Sequence, residues 1–125
     1  MKVLGIISEY NPFHKGHLYH LEESKKRTGA DFVVSVMSGN FVQRGEPAIA
    51  DKWTRAHCAV DCGVDLVLEL PFVFACNSAE YFAYGGLSVL EGLGCVDCIS
   101  FGSESGNIEE LKEIAKILVN EPEEL

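Results

Sequence analysis

The sequence predicts an α/β fold: a doubly wound parallel sheet in three layers, α/β/α. Three observations carry this. Short apolar runs alternate with charged, helix-spaced stretches in the order β-α-β-α-β-α-β-α. The runs are apolar almost throughout, as strands covered on both faces are, rather than alternating with polar residues. The stretches between them are about a dozen residues long, enough for the helix of a parallel crossover.

"KVLGIIS" ends at turn residues and reads as the first strand. From His17, "HLYHLEESKKR" sets Leu18 and Leu21 on one face with charge elsewhere, and Gly29 is its stop. Lys25, Lys26 and Arg27, the one basic cluster, suit the negative end of that helix. "DFVVSVM" is the second strand, followed by the polar loop "SGNFVQRGEPAIA". Asp51 offers an N-cap for "KWTRAHCAVDCG", which ends at Gly63. "DLVLEL" is the third strand, and "SAEYFAYGGLSVLEGLG" a helix weakened by Gly85 and Gly86. "CVDCISFG" is the fourth strand. "SESGNIEELKEIAKILVN" is a loop and a helix whose apolar stripe is Ile108, Leu111, Ile114, Ala115 and Leu118. "VNEPEEL" reads as a linker or a cut end.

At 125 residues, 47% hydrophobic and 23% charged, the chain supports one domain with a real core. Its longest apolar window, "VDLVLELPFVFAC", is broken by Asp65, Glu69 and Pro71, so no membrane span is expected. "MKVLGIISEYNP" lacks the pattern of a secretory leader, and five cysteines without one read as reduced thiols in the cytoplasm. A net charge of −9 excludes a general electrostatic trap for nucleic acid.

Right-handed crossovers place every strand-to-helix loop on one edge of such a sheet, where ligands bind. "SEYNPFHKGH", "SGNFVQRGEPA" and "FGSESGN" therefore converge. In the first, Pro12 restrains the loop and Gly16 leaves room for a ligand to approach the backbone. The helix that follows presents unpaired N–H groups and partial positive charge, which suits a phosphate. His14 and His17 add two donors at the same point. Each is worth roughly 3 kcal/mol to charge growing on phosphorus in a transition state. Two other readings stand beside this one: zinc held by His14, His17 and His20, and surface histidines without a common task. His20, one turn into the helix, is expected at most to line the pocket.

"EYNPFHKGH" resembles the HxGH signature of the nucleotidyltransferase superfamily, which includes the class I aminoacyl-tRNA synthetases. The longer set "SEYNPFHKGHLYHL", "MSGNFVQRGEPAIADKWTRA", "LELPF", "SAEYFAYGG" and "ISFGSE" is similar to the tRNA(Met) cytidine acetate ligase family, over nearly all of Met1 to Gly106. The resemblance implies a Rossmann-like fold with ATP held by the first loop. That loop is here Ile7, Ser8, Glu9, Tyr10, Asn11, Pro12, Phe13, His14, Lys15, Gly16, His17, Leu18, Tyr19 and His20, joined by Gly102 after the fourth strand. His14, His17 and Arg44 are the expected catalytic residues. Mg2+ is expected only as the counter-ion of ATP, with no metal site in the protein.

The resemblance further implies two steps. Acetate attacks the α-phosphate of ATP to give acetyl-adenylate and pyrophosphate, and the N4 amine of the wobble cytidine of elongator tRNA(Met) then takes the acetyl group. The residues themselves point to adenylyl transfer at the helix N-terminus; the transfer to tRNA comes from the resemblance alone. A small-molecule adenylyltransferase and a non-catalytic nucleotide-binding chain are the alternatives. The family runs on past this length, with a further ATP-holding asparagine and arginine. Residues 1–125 are therefore expected to be a nucleotidyltransferase-like ATP-binding domain, the N-terminal part of a longer enzyme.

In the second loop, Asn40, Gln43 and Arg44 sit between Gly39 and Gly45. Arg44 suits a carboxylate or the departing pyrophosphate, or is a solvated loop arginine. Lys52 and Arg55 stand at the start of the next helix, where its dipole disfavours cations, a hint of an anionic ligand. Trp53 is core or a stacking platform. Gly102, Ser103 and Ser105 could approach ribose or adenine, or form an ordinary turn before the last helix. "CVDC" lies inside a strand without a second CxxC and reads as two buried or half-buried thiols. Cys58 and Cys62 read as packing.

Overall fold

The computed structural model of the protein describes residues 1–100. The elements are β1 (Val3–Ser8), α1 (Lys15–Thr28), β2 (Phe32–Ser38), α2 (Lys52–Asp61), β3 (Leu66–Leu70), α3 (Phe72–Ala75), α4 (Ala79–Leu93) and β4 (Cys98–Ser100). All four strands are parallel, in the order β3-β2-β1-β4. The expected helix over 108–118, Gly102, Ser103 and Ser105 lie outside the described residues.

The period-two geometry of a strand sends successive side chains to opposite faces. Leu4 and Ile6 of β1 and Val33 and Met37 of β2 pack with Leu21 of α1 and Ala59 of α2. Val3, Val34, Val36 and Leu70 point the other way, against Ala75 of α3 and Leu90 of α4. Two apolar cores, one on each side of one sheet, make the three layers. Among the described residues no helix is long and apolar enough to cross a membrane.

The glycines called weak points of α4 have a use there. A Cβ at Gly86 would come within 2.7 Å of the Ile7 side chain, and one at Gly85 within 2.5 Å of Phe74. The helix therefore approaches β1 and α3 more closely than any side chain would allow. At these positions the propensity cost of glycine is offset by packing.

The register is pinned by a repeated device. Asp31, Asp65 and Asp97 each precede a strand. Their carboxylates accept the backbone N–H of Lys2, Val33 and Val3, respectively, each at 2.8 Å. Each carboxylate satisfies a donor at the start of the neighbouring strand.

Four sequence expectations need correction. Helix α1 begins at Lys15, not His17, because its cap lies further upstream. The described part of β4 begins at Cys98, since Gly94 turns the chain out of α4 in a left-handed conformation and residues 95–97 cross to the sheet. Cys95 is thus exposed and outside the strand, and Cys98 is half-buried. Cys58 is exposed rather than packed, with Cys62 half-buried. The short helix α3 follows Pro71 directly and had no periodicity to announce it.

Candidate active site at the carboxyl edge of the sheet

The chain runs from β1 outward through β2 to β3, then returns across β1 to β4. This reversal opens a crevice beyond the carboxyl end of β1, where such folds bind ligands. A cavity of about 520 Å³ occupies it, lined by Ile6 to Tyr10, His14, Gly16, His17, His20 and Phe82. That volume falls in the range of sites for small organic ligands.

The two histidines of "HKGH" cap α1. His14 is its N-cap, in extended backbone, and its Nδ1 accepts the Gly16 N–H at 3.0 Å. His17, three residues on, accepts the His14 N–H on its own Nδ1 at 3.2 Å. This is the reciprocal geometry of a capping box, built from two imidazoles. A ring nitrogen that accepts carries the lone pair, so in each neutral ring the proton sits on Nε2. Two N–H donors thus remain for the cavity. The pattern predicted donors; their tautomer is set by the capping bonds.

Packing holds the rings in place. His14 stacks on His17 with centroids 3.8 Å apart, and Tyr10 and Phe13 flank His17 at 5.0 and 5.6 Å. Tyr10 is 2% exposed and sits at φ 48°, a left-handed conformation rare for a bulky residue. Burial raises the pKa of its phenol, and the hydroxyls of Ser35 and Ser8 offset part of that. At Gly16 a Cβ would stand 2.8 Å from Cε1 of His14. The glycine is thus required by the cap itself.

His20 does more than line the pocket. Its Nε2 is 3.0 Å from Ser100 Oγ, which is 2.7 Å from Ser24 Oγ. This chain of bonds ties α1 to the carboxyl end of β4, just before the segment that holds Gly102. The zinc reading gains no geometry. Nδ1 of both His14 and His17 is taken by backbone, and no group of three or more His, Cys, Asp or Glu among the described residues could hold a metal ion.

The second loop is tied to the first at two points. Glu9 Oε2 accepts the Gln43 N–H at 2.9 Å, and Asn11 Oδ1 accepts the Ile49 N–H at 2.7 Å. Asn11 therefore braces loops, while Pro12, Phe13, Lys15, Leu18 and Tyr19 do not line the cavity. Arg44 is exposed, on the turn closed by the Gly45 N–H to Val42 O bond, and is not among the lining residues.

The cations of α2 have local partners, against the hint of an anionic ligand. Arg55 is 1% exposed and gives its guanidinium to the carbonyls of Ser38, Gly39 and Ala50. Lys52 Nζ pairs with Glu69 Oε1 at 2.8 Å. Trp53 is 72% exposed, so it is not core. Sequence reasoning missed Ile6 and Phe82 as lining residues. The available signal was topological, because the first turn of every crossover helix, Phe82 of α4 included, lies at the carboxyl edge.

The pKa of His17 lies below the usual 6.5, chiefly through burial and further through the neighbouring His14 and His20. The unfolded chain then binds the proton first. Stability from a neutral His17 is present above pH 6.5 and is lost as pH falls through the depressed folded value. Urea unfolding midpoints should therefore decline below pH 6.5 in the native protein, and decline less in His17→Gln. Parallel profiles would show that His17 is not the titrating group.

Comparison with known proteins bears on this geometry. The family model described as HIGH Nucleotidyl Transferase matches residues 1–125. A curated tRNA(Met) cytidine acetate ligase of Acetivibrio thermocellus is 65% identical over 123 residues, 98% of this chain and 30% of that protein. Another from Clostridium novyi is 60% identical over 124 residues, 99% of this chain and 31% of that protein. The crystal structure of Thermotoga maritima TmcAL bound with alpha-thio ATP superposes with a TM-score of 0.86 at 54% identity, covering 98% of this chain and 30% of that one. The chain thus spans about a third of the length of the relatives it matches.

Proposed function

The chain belongs to the HIGH nucleotidyl transferase family, and from that premise we propose that it binds ATP in the β1 cavity and activates acetate as acetyl-adenylate. An acetate oxygen forms a bond to the α-phosphorus, the bond to the β-phosphate oxygen breaks, and pyrophosphate leaves. The N4 amine of the wobble cytidine of elongator tRNA(Met) then attacks the acetyl carbon, loses a proton and releases AMP. The observation that carries the first step is that His14 and His17 both line the cavity at the N-terminus of α1 with Nδ1 accepting a backbone N–H, which leaves Nε2–H as the donor of each neutral ring. Donors held in place before reaction stabilise the charge that grows on the transferring phosphoryl group.

The names of the relatives and the ATP analogue in the Thermotoga maritima structure support this reading. Within the segment from Ile7 to His20, the residues that line the cavity (Ile7, Ser8, Glu9, Tyr10, His14, Gly16, His17 and His20) are the proposed nucleotide contacts, joined by Gly102, and the exposed Arg44 is the proposed partner of the leaving pyrophosphate. Mg2+ would enter on the phosphates of ATP and neutralise their charge. Residues 1–125 would form the ATP-binding part of a longer cytoplasmic enzyme, which the 30% coverage of the relatives supports.

Exchange of labelled pyrophosphate into ATP tests the proposal. We expect exchange that requires acetate. Exchange without acetate would indicate a small-molecule adenylyltransferase, and ATP binding without exchange a non-catalytic nucleotide site. With its net charge of −9, this chain alone should bind tRNA far more weakly than the full-length enzyme. Equal affinities in a filter-binding titration would overturn that expectation.

A further inference from the structure

A second, smaller cavity of about 160 Å³ lies at the carboxyl ends of β2 and β3, lined by Gly39, Asn40, Phe41, Glu69, Leu70, Phe72 and Ala75. A cavity of about 150 Å³ holds one benzene ring. Its polar groups form an ordered pair. The Oδ1 of Asn40 accepts the Lys52 N–H at 2.9 Å, which leaves the Nδ2 amide as a donor. Glu69 gives Oε1 to Lys52 Nζ, while Oε2 takes no hydrogen bond among the described residues. That oxygen lies over Gly39, where any Cβ would collide with it. Beside them stand two exposed rings, Phe41 and Phe72, edge to face at 5.9 Å.

We infer that this cavity receives the cytosine base that accepts the acetyl group, a reading that rests on the proposed transfer to a cytidine. Cytosine presents an amine donor at N4 beside an acceptor at N3. The acceptor Oε2 of Glu69 and the donor Nδ2 of Asn40 match that edge, and a carboxylate is a fitting partner for cytosine N4. Uracil reverses both groups and would set O4 against the carboxylate. Phe41 and Phe72 supply faces on which an unpaired base stacks.

The placement also suits the chemistry. Gly39 directly follows β2, which lies between β3 and β1, so the Glu69 carboxylate stands about two strand spacings, roughly 10 Å, from the end of β1. As N4 bonds to the acetyl carbon, the carbon–oxygen bond to AMP breaks and the N4 proton passes to Glu69 Oε2.

The test uses the full-length enzyme and two substitutions that keep the local bonds: Glu69→Gln, whose carbonyl can still accept from Lys52, and Asn40→Asp, which keeps the acceptor for the Lys52 N–H. Acetyl transfer to tRNA and acetate-dependent pyrophosphate exchange are measured on the same preparations. Transfer should fall at least about tenfold more than exchange in both variants. Equal losses in the two assays, or no loss, would overturn the assignment. Binding of cytidine monophosphate and uridine monophosphate to the wild-type enzyme is measured alongside. A preference for the cytidine nucleotide that Glu69→Gln abolishes supports the subsite, and no preference overturns it. This second readout holds even where wild-type exchange fails, an outcome that counts against acetate activation and not against the base site.

Discussion

His14→Ala or His17→Ala in the full-length enzyme should lower acetate-dependent pyrophosphate exchange by about 100-fold, with kcat and kcat/KM falling together. That is the loss expected when one preorganised donor used only in the transition state is removed. The two variants should differ in stability. His14 is the N-cap of α1, and replacing a capping residue by alanine costs about 1 kcal/mol. His14→Asn separates the roles, because asparagine caps well but does not project a donor where Nε2 lies. It should recover most of the lost stability and little of the lost turnover. Wild-type exchange rates in both alanine variants would remove the histidines from the mechanism and leave "HKGH" as a helix cap.

Arg55→Leu should destabilise the protein strongly, by about 3 kcal/mol or more. Its guanidinium is fully buried and donates to the carbonyls of Ser38 and Gly39, where β2 hands over to the second loop. Leucine fills much of the volume but leaves those buried acceptors unpaired, and each costs about 1–3 kcal/mol. For a chain of this size the melting temperature should fall by about 10 °C. Burial lowers the pKa of the guanidinium, and the carboxylates of Glu9, Asp51 and Glu69 offset part of this. The group stays charged at any pH the protein tolerates. Arg55→Lys should recover only part of the loss, because an ammonium cannot span two carbonyls as the planar fork does. A melting point within 2–3 °C of wild type for Arg55→Leu, well short of the fall expected above, would mean that other groups hold the loop.

Much of this molecule can be read from its residues in order. The alternation of apolar runs with helix-spaced stretches predicts the parallel sheet, and the sheet predicts which edge carries the loops. Asp51 caps α2 by accepting the Thr54 N–H, and Gly29 ends α1 in a left-handed conformation, as their types and positions lead one to expect. Pro12, Gly16 and two histidines where a strand gives way to a helix mark the loop of the candidate site. Each of these features is local, decided by residues within a turn or two of one another, which is why a linear pattern carries it.

Only the tertiary structure decided the rest. Arg55, one turn into a helix, carries no mark that separates a ligand-seeking cation from a buried clamp, because its partners lie 16 and 17 positions away. Asp31, Asp65 and Asp97 look like turn residues until the register brings them to the next strand's N–H groups; Asp97 reaches Val3 across 94 positions. Asn40 and Glu69 meet at one cavity because β2 and β3 are neighbours in the sheet, though a whole helix separates them in sequence. Local propensity sets which elements form. Which side chains face one another depends on strand order and register, quantities that exist only once the two cores have closed on the sheet.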